Sequence, residues 1–186
     1  MTRVSRNPGY FNILNPPSQA DAGSGATASG IPLLAGLIRG SDLGPAGIGH
    51  VLAVALPETR PNEWIWPAHR TDGFYWTKGV AQIPEGARFR LDPDVNVERL
   101  DISPRAKVFA RAIQRHGLVV RDKSGAVTFY AEDPLTGGRA VHTALFGKDA
   151  VHWPSHYLRE DRGKFPWHRL QLLKMGKRFD WSVYGG

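Results

Sequence analysis

The stretch from residue 83 to residue 134 constrains the chain most, because it holds a helix whose start, face and end are all written in its residues. Ser103 is a good N-cap, Pro104 suits the first helical position, and Gly117 falls just past the last turn. Val108, Phe109, Ala112 and Ile113 share one face, with Lys107, Arg111, Gln114 and Arg115 on the other. That pattern predicts an amphipathic helix over 103–116 packed on an apolar layer. A left-handed Gly117 brings Leu118 back against Ile113 and sends the chain into a strand. Residues 118–131 predict a hairpin: an arm over 118–121, a turn over 122–125 in which Gly125 supplies positive φ, and a second arm over 126–131.

With 186 residues the chain is long enough for one domain with a core of its own, so no staple is required. Cysteine is absent, which removes thiol catalysis, cysteine–zinc sites and disulfides together. Gly (21) and Pro (14) are abundant, which favours a turn-rich β protein over a helical bundle. No apolar run reaches the length needed to span a membrane. The net charge of +7 is uneven: residues 94–186 hold 16 basic and 10 acidic side chains, against 8 and 7 before them. Such a surplus attracts nucleic acid, acidic polysaccharide or anionic lipid, and equally serves solubility alone.

Read in order, residues 1–28 are rich in Pro, Asn, Ser and Gly and predict an extended N-terminal arm. Residues 29–134 read as a β-rich core with the helix. Within that core, 30–43 predict buried turns or short helical pieces, and 48–56 a nearly continuous apolar strand ended by Pro57. A short strand is expected over 87–91 after a turn at Pro84–Glu85–Gly86, ended by Asp92–Pro93–Asp94. Residues 135–186 form an irregular segment in which aromatics alternate with bases, packing on the core. Within it, the alternation of Leu170 and Leu172 about Gln171 favours a closing strand over a short helix. The fold class predicted is α+β: a β-rich antiparallel sheet assembly with one principal helix and irregular terminal arms.

The most site-like residues are His50, at the head of the apolar strand, and His69, Arg70 and Asp72 in the polar turn after Trp64–Ile65–Trp66–Pro67. Flat aromatic faces beside a few charged hydrogen bonders are what a sugar cleft needs, and Trp64, Trp66 and Trp76 supply the faces. In a cleaving domain His50, Asp72 and Arg70 would be the catalytic groups, with Asp72 orienting His50 or acting itself. The plainer reading makes His50 a core histidine bonded to backbone and Asp72 a turn cap. Asp72, Glu85, Asp92, Asp94, Glu132 and Asp133 supply carboxylates of the kind glycosidic cleavage uses in pairs, although the pairs at 92–94 and 132–133 also read as ordinary strand-ending turns. His152 and His156 have a helical spacing that Pro154 disfavours, and no nucleotide or nucleophile motif occurs, so neither a metal nor a cofactor is expected.

Seven segments carry a resemblance: 3–11 (RVSRNPGYF), 26–42 (ATASGIPLLAGLIRGSD), 48–57 (IGHVLAVALP), 66–73 (WPAHRTDG), 83–93 (IPEGARFRLDP), the 103–134 block and 165–174 (FPWHRLQLLK). In these motifs and their order the chain resembles an uncharacterised family of secreted actinobacterial proteins with no assigned activity. The resemblance implies an extracellular location. Its members usually begin with a signal peptide and an upstream β-region. Met1 to Arg6 has bases but no apolar stretch behind it, and a start without those segments implies a cytoplasmic protein. The function expected is a carbohydrate-directed domain that binds or cleaves a polysaccharide. The alternative is a non-enzymatic basic protein whose aromatic C-terminal segment contacts a polyanion such as nucleic acid, or a larger assembly.

Overall fold

The computed structural model describes residues 27–74, 82–132, 164–173 and 178–180. The expected arm at 1–28, apart from Thr27 and Ala28, and most of 135–186 lie outside the described residues. The strands are β1 (Leu52–Leu56), β2 (Thr59–Ile65), β3 (Ile83–Glu85), β4 (Arg88–Leu91), β5 (Leu118–Lys123), β6 (Thr128–Phe129), β7 (Leu170–Leu172) and β8 (Arg178–Asp180), with one α-helix, α1 (Pro104–Arg115), among the described residues. They form a five-stranded sheet ordered β6-β1-β5-β4-β7 and a three-stranded sheet ordered β3-β2-β8. The class is α+β and β-rich, as expected. Both sheets are mixed, β1–β5 and β2–β3 being parallel and the other pairs antiparallel.

The helix forms where its capping residues place it. Ser103 Oγ accepts a hydrogen bond from the Ala106 amide at 3.2 Å, Pro104 opens the first turn, and Gly117 ends it at φ +80°. Gly117 is required twice over, since a Cβ there would also lie 2.6 Å from the Phe89 carbonyl oxygen of β4. Ala106, Phe109, Ala110, Ala112 and Ile113 are buried against the sheet. Full burial of a side chain the size of Phe109 or Ile113 contributes about 1.5–3 kcal/mol. The exposed Arg111–Glu98 ion pair on the outer side adds little by comparison.

The hairpin expected over 118–131 is not formed. β5 and β6 do not pair with each other, because β1 lies between them, parallel to β5 and antiparallel to β6. The reason lies in β1 itself. Leu52, Ala53, Val54 and Ala55 are all at most 1% exposed, so this strand is apolar on both faces and is buried best with a partner along each edge. Residues 124–127 need only cross about 9.6 Å, two inter-strand spacings, and four extended residues reach about 13 Å. Leu52, Val54, Leu118 and Val120 then face the helix-side core with Phe109 and Ile113. Ala53 and Val119 face a second cluster with Ile31, Trp64 and Ala68.

The corner between β3 and β4 is one of the segments that tie the two sheets together. The chain leaves β3 at Gly86, where φ is +87°, and enters β4 in the other sheet. The Gly86 amide donates to Val120 O at 2.7 Å, and the Val120 amide to Ala87 O at 2.9 Å. At the C-terminal side a short 3-10 turn, Trp167–Arg169, leads into β7, so the closing strand favoured by the alternation at 170–172 is the element that forms. No helix among the described residues is long and apolar enough to cross a membrane.

Candidate functional site: a carboxylate cluster between the sheets

Three elements bring three carboxylates together. β5 contributes Asp122 through a bulge. Its pairing with β1 runs Val54 to Val120 and then Ala55 to Asp122, leaving Arg121 as the extra residue. The bulge therefore turns Asp122 to the face of Ala53 and Val119, away from the helix. β3 contributes Glu85, which lies opposite Trp64 of β2. The loop after β2 contributes Asp72. That loop is folded back on the start of β2: Phe74 bridges to Thr59, the Gly73 amide donates to Thr71 Oγ1 at 2.9 Å, and a Cβ at Gly73 would collide with Arg60 O. One carboxylate oxygen from each of Asp72, Glu85 and Asp122 lies within 4.8 Å of the other two.

The cluster is graded from solvent inward. Asp72 is exposed, Asp122 half-buried and Glu85 fully buried. Burial, reinforced by a hydrogen-bonding and like-charged Asp72 and by the charge of Asp122, pushes the Glu85 carboxyl up to about 9. Burial also raises Asp122, against the pull of the Lys123 amide, which donates to its Oδ1 at 2.9 Å. Behind them stand two further ionisable groups. Arg121 is fully buried, gives Nη1 to Leu33 O at 2.7 Å and Ala35 O at 3.2 Å, and stacks on Tyr130. Tyr130 is pushed up to about 12 by burial and then by Asp122. An oxygen-only set of this kind can share a proton, accept hydroxyl donors or hold a hard cation.

The residues singled out in the sequence are distributed more widely. His50 is engaged at both nitrogens, Nδ1 with Val51 O at 2.8 Å and Nε2 with Asp42 Oδ2 at 2.9 Å. Arg70 donates to Ala28 O at 2.8 Å and Thr27 O at 2.6 Å, and His69 Nε2 meets Gly30 O at 3.0 Å. These two side chains pin the loop to the 27–30 turn. Trp64 is buried in the second core cluster, whereas Trp66 is 47% exposed. Trp76 lies outside the described residues, as does the pair His152 and His156. Asp72 and Glu85, both among the candidate carboxylates of the sequence, carry over into the cluster. Asp92 ends β4 as expected, accepting from the Asp94 amide at 2.9 Å and from Arg169 Nη2 at 2.7 Å.

In the sequence Glu85 reads both as part of a turn and as one of six candidate carboxylates, whereas Asp122 reads only as the first residue of the hairpin turn. The signal for them is present but weak: a lone Glu between Pro84 and Gly86, and an Arg–Asp pair at the end of the apolar run Leu118–Val119–Val120. No family model, curated protein or solved structure matches this chain.

Proposed function

We propose that this domain binds a polysaccharide, using the loop over 66–74 as its contact surface. The observation that carries the reading is the exposure along that loop: Trp66 at its start is 47% exposed, Phe74 at its end 48% exposed, and Asp72, between them in the sequence, is exposed as well. An exposed ring offers an apolar surface for stacking, and a pyranose ring offers a flat apolar face with hydroxyls at its rim. Asp72 accepts those hydroxyls as a charged acceptor. Arg70 and His69 act as positioning residues, through their bonds to the 27–30 turn. The extracellular location implied by the family resemblance agrees with such a ligand.

Binding is favoured over cleavage. His50, the acid–base partner envisaged for Asp72, is committed to Val51 and Asp42. Glu85, the carboxyl beside Asp72, is sealed from solvent and so from a glycosidic oxygen. Affinity electrophoresis and calorimetry against a polysaccharide panel test the reading. Trp66→Ala and Phe74→Ala each weaken binding at least about fivefold, the loss of a stacking contact of about 1–3 kcal/mol, while His50→Ala leaves it unchanged. Retention of full affinity in both ring variants refutes it. Scoring the same panel for new reducing ends checks for cleavage. A steep fall of association with salt would point instead to a polyanion.

A further inference from the structure

The sugar reading uses Asp72 and leaves Glu85 unexplained. Its side chain is 0% exposed, and neither of its carboxyl oxygens receives an aligned hydrogen bond. Thr71 and Asp72 come within interaction range of it. The Thr71 hydroxyl, however, directs its one proton at Arg60 O, 3.4 Å away. Asp72 is a second acceptor. A buried carboxyl without donors carries a desolvation penalty, which a fold retains only where something offsets it.

The cations in the sequence beside Asp122 do not supply the offset. Arg121 is turned to Leu33 O, Ala35 O and the ring of Tyr130. The Lys123 ammonium stands 5.8 Å from the centroid of Phe74. What Glu85 meets instead is two more carboxylates, with one oxygen of each of the three within 4.8 Å of the others. Three carboxylates crowded together repel one another unless protons or a cation lie among them.

We infer that Asp72, Glu85 and Asp122 form a site for a hard divalent cation of the calcium class. All the donors are oxygens, and no imidazole or thiolate is among them, which disfavours zinc and copper. Oxygens no more than 4.8 Å apart can be bridged by one such ion, and calcium, which accepts about six to eight oxygens in flexible geometry, suits an irregular set of carboxylates better than magnesium, which demands near-octahedral geometry. Glu85 forms the floor, Asp122 the wall and exposed Asp72 the entrance, leaving the remaining coordination positions to water on the open side. The inference does not rest on sugar binding, because the orphaned floor residue is present whether or not the neighbouring rings stack on a ligand.

The test uses the full chain, freed of metal with a chelator that is then removed, and titrates calcium, magnesium, manganese and zinc chlorides by calorimetry and thermal melting near pH 7. Calcium gives a saturable heat and raises the melting temperature, and a chelator reverses the shift. Glu85→Gln and Asp122→Asn, close to isosteric, each weaken calcium binding at least about tenfold. Terbium luminescence on the wild-type chain, displaced by calcium, reads the same site should either variant fail to fold. Absence of heat, melting shift and displaceable luminescence in the wild type overturns the inference. So does a Glu85→Gln chain that binds calcium as tightly as the wild type. Calcium binding by a chain that ignores every glycan leaves this site standing and removes only the sugar reading.

Discussion

The guanidinium carbon of Arg121 lies 3.6 Å from the centroid of the Tyr130 ring, with the whole arginine side chain sealed from solvent. A fully buried charge survives only when it is paired, and here two backbone carbonyls and an aromatic face share the task. Nε and Nη2 have no acceptor, so the ring face is what offsets their burial. Arg121→Lys therefore keeps the buried charge while losing the planar stack, and costs about 3 kcal/mol. Arg121→Met keeps an apolar stem without a charge to desolvate and costs about 1 kcal/mol. Urea unfolding of both variants checks the order; a Met variant less stable than the Lys variant would contradict it.

Glu85 makes stability depend on pH with a definite sign. Its carboxyl sits at about 9 in the fold because of burial and the neighbouring Asp72 and Asp122, against about 4.5 in the unfolded chain. Between those values the folded state holds a proton that the unfolded state has released, so stability falls as pH rises, by up to about 1.4 kcal/mol per unit for one proton. Asp122 is raised as well and acts in the same direction. In metal-free buffer the urea midpoint drops between about pH 5 and 9, and Glu85→Gln, which stays neutral, flattens the profile. A wild-type midpoint that climbs over this range refutes the assignment.

The helix was legible because its information is local: cap, proline, apolar stripe and terminal glycine all lie within about fifteen positions of one another, and each plays the part its type suggests. The strand ended by Pro57 and the closing strand at 170–172 were legible for the same reason. The pairing of the strands was not. A turn-like Asp122–Gly125 segment between two β-rich arms is compatible with a hairpin, and only the need of Leu52–Leu56 for a partner along each edge decides that a third strand enters between them. The site was hidden by the same kind of event. One bulge at Arg121 changes the face on which Asp122 lies, and a bulge leaves no period-two trace in a run as short as Leu118–Lys123. Asp72 stood out because its loop is polar amid aromatics. Glu85 stood among the candidate carboxylates, but the Pro and Gly on either side of it read as a turn and gave no sign of its burial.

Gly86 holds the site together through its backbone. At φ +87° it occupies a region that costs other residues free energy, and a Cβ there would collide with the Ile65 carbonyl oxygen. Neither strand can give way easily, because the Gly86 amide is bonded to Val120 O and Ile65 lies in the core. Gly86→Ala is expected to cost about 3 kcal/mol or more. It also moves Glu85, the adjacent residue, so both the urea midpoint and its dependence on pH should change. An alanine variant with wild-type stability would show that the corner between β3 and β4 is softer than its contacts imply.

The helix and the edge strand β6 meet through an aromatic pair, Phe109 and Phe129, whose ring centroids are 5.4 Å apart at an interplanar angle of 64°. This edge-to-face contact closes the helix-side core over the shortest strand of the five-stranded sheet. Phe109→Ala removes both the pair and a ring that is 5% exposed, and should cost about 3–5 kcal/mol. Ser103→Ala, which removes only the bond to the Ala106 amide, should cost about 1 kcal/mol. Because β6 is held to β1 by just two residues, Val54 with Phe129 and Ala55 with Thr128, the loss of Phe109 should also release amide protection in β6 before that of β5. Hydrogen exchange on the Phe109→Ala chain reads this directly: equal loss of protection in β5 and β6 would mean that the strand is held by its ladder alone, and that the aromatic contact contributes little.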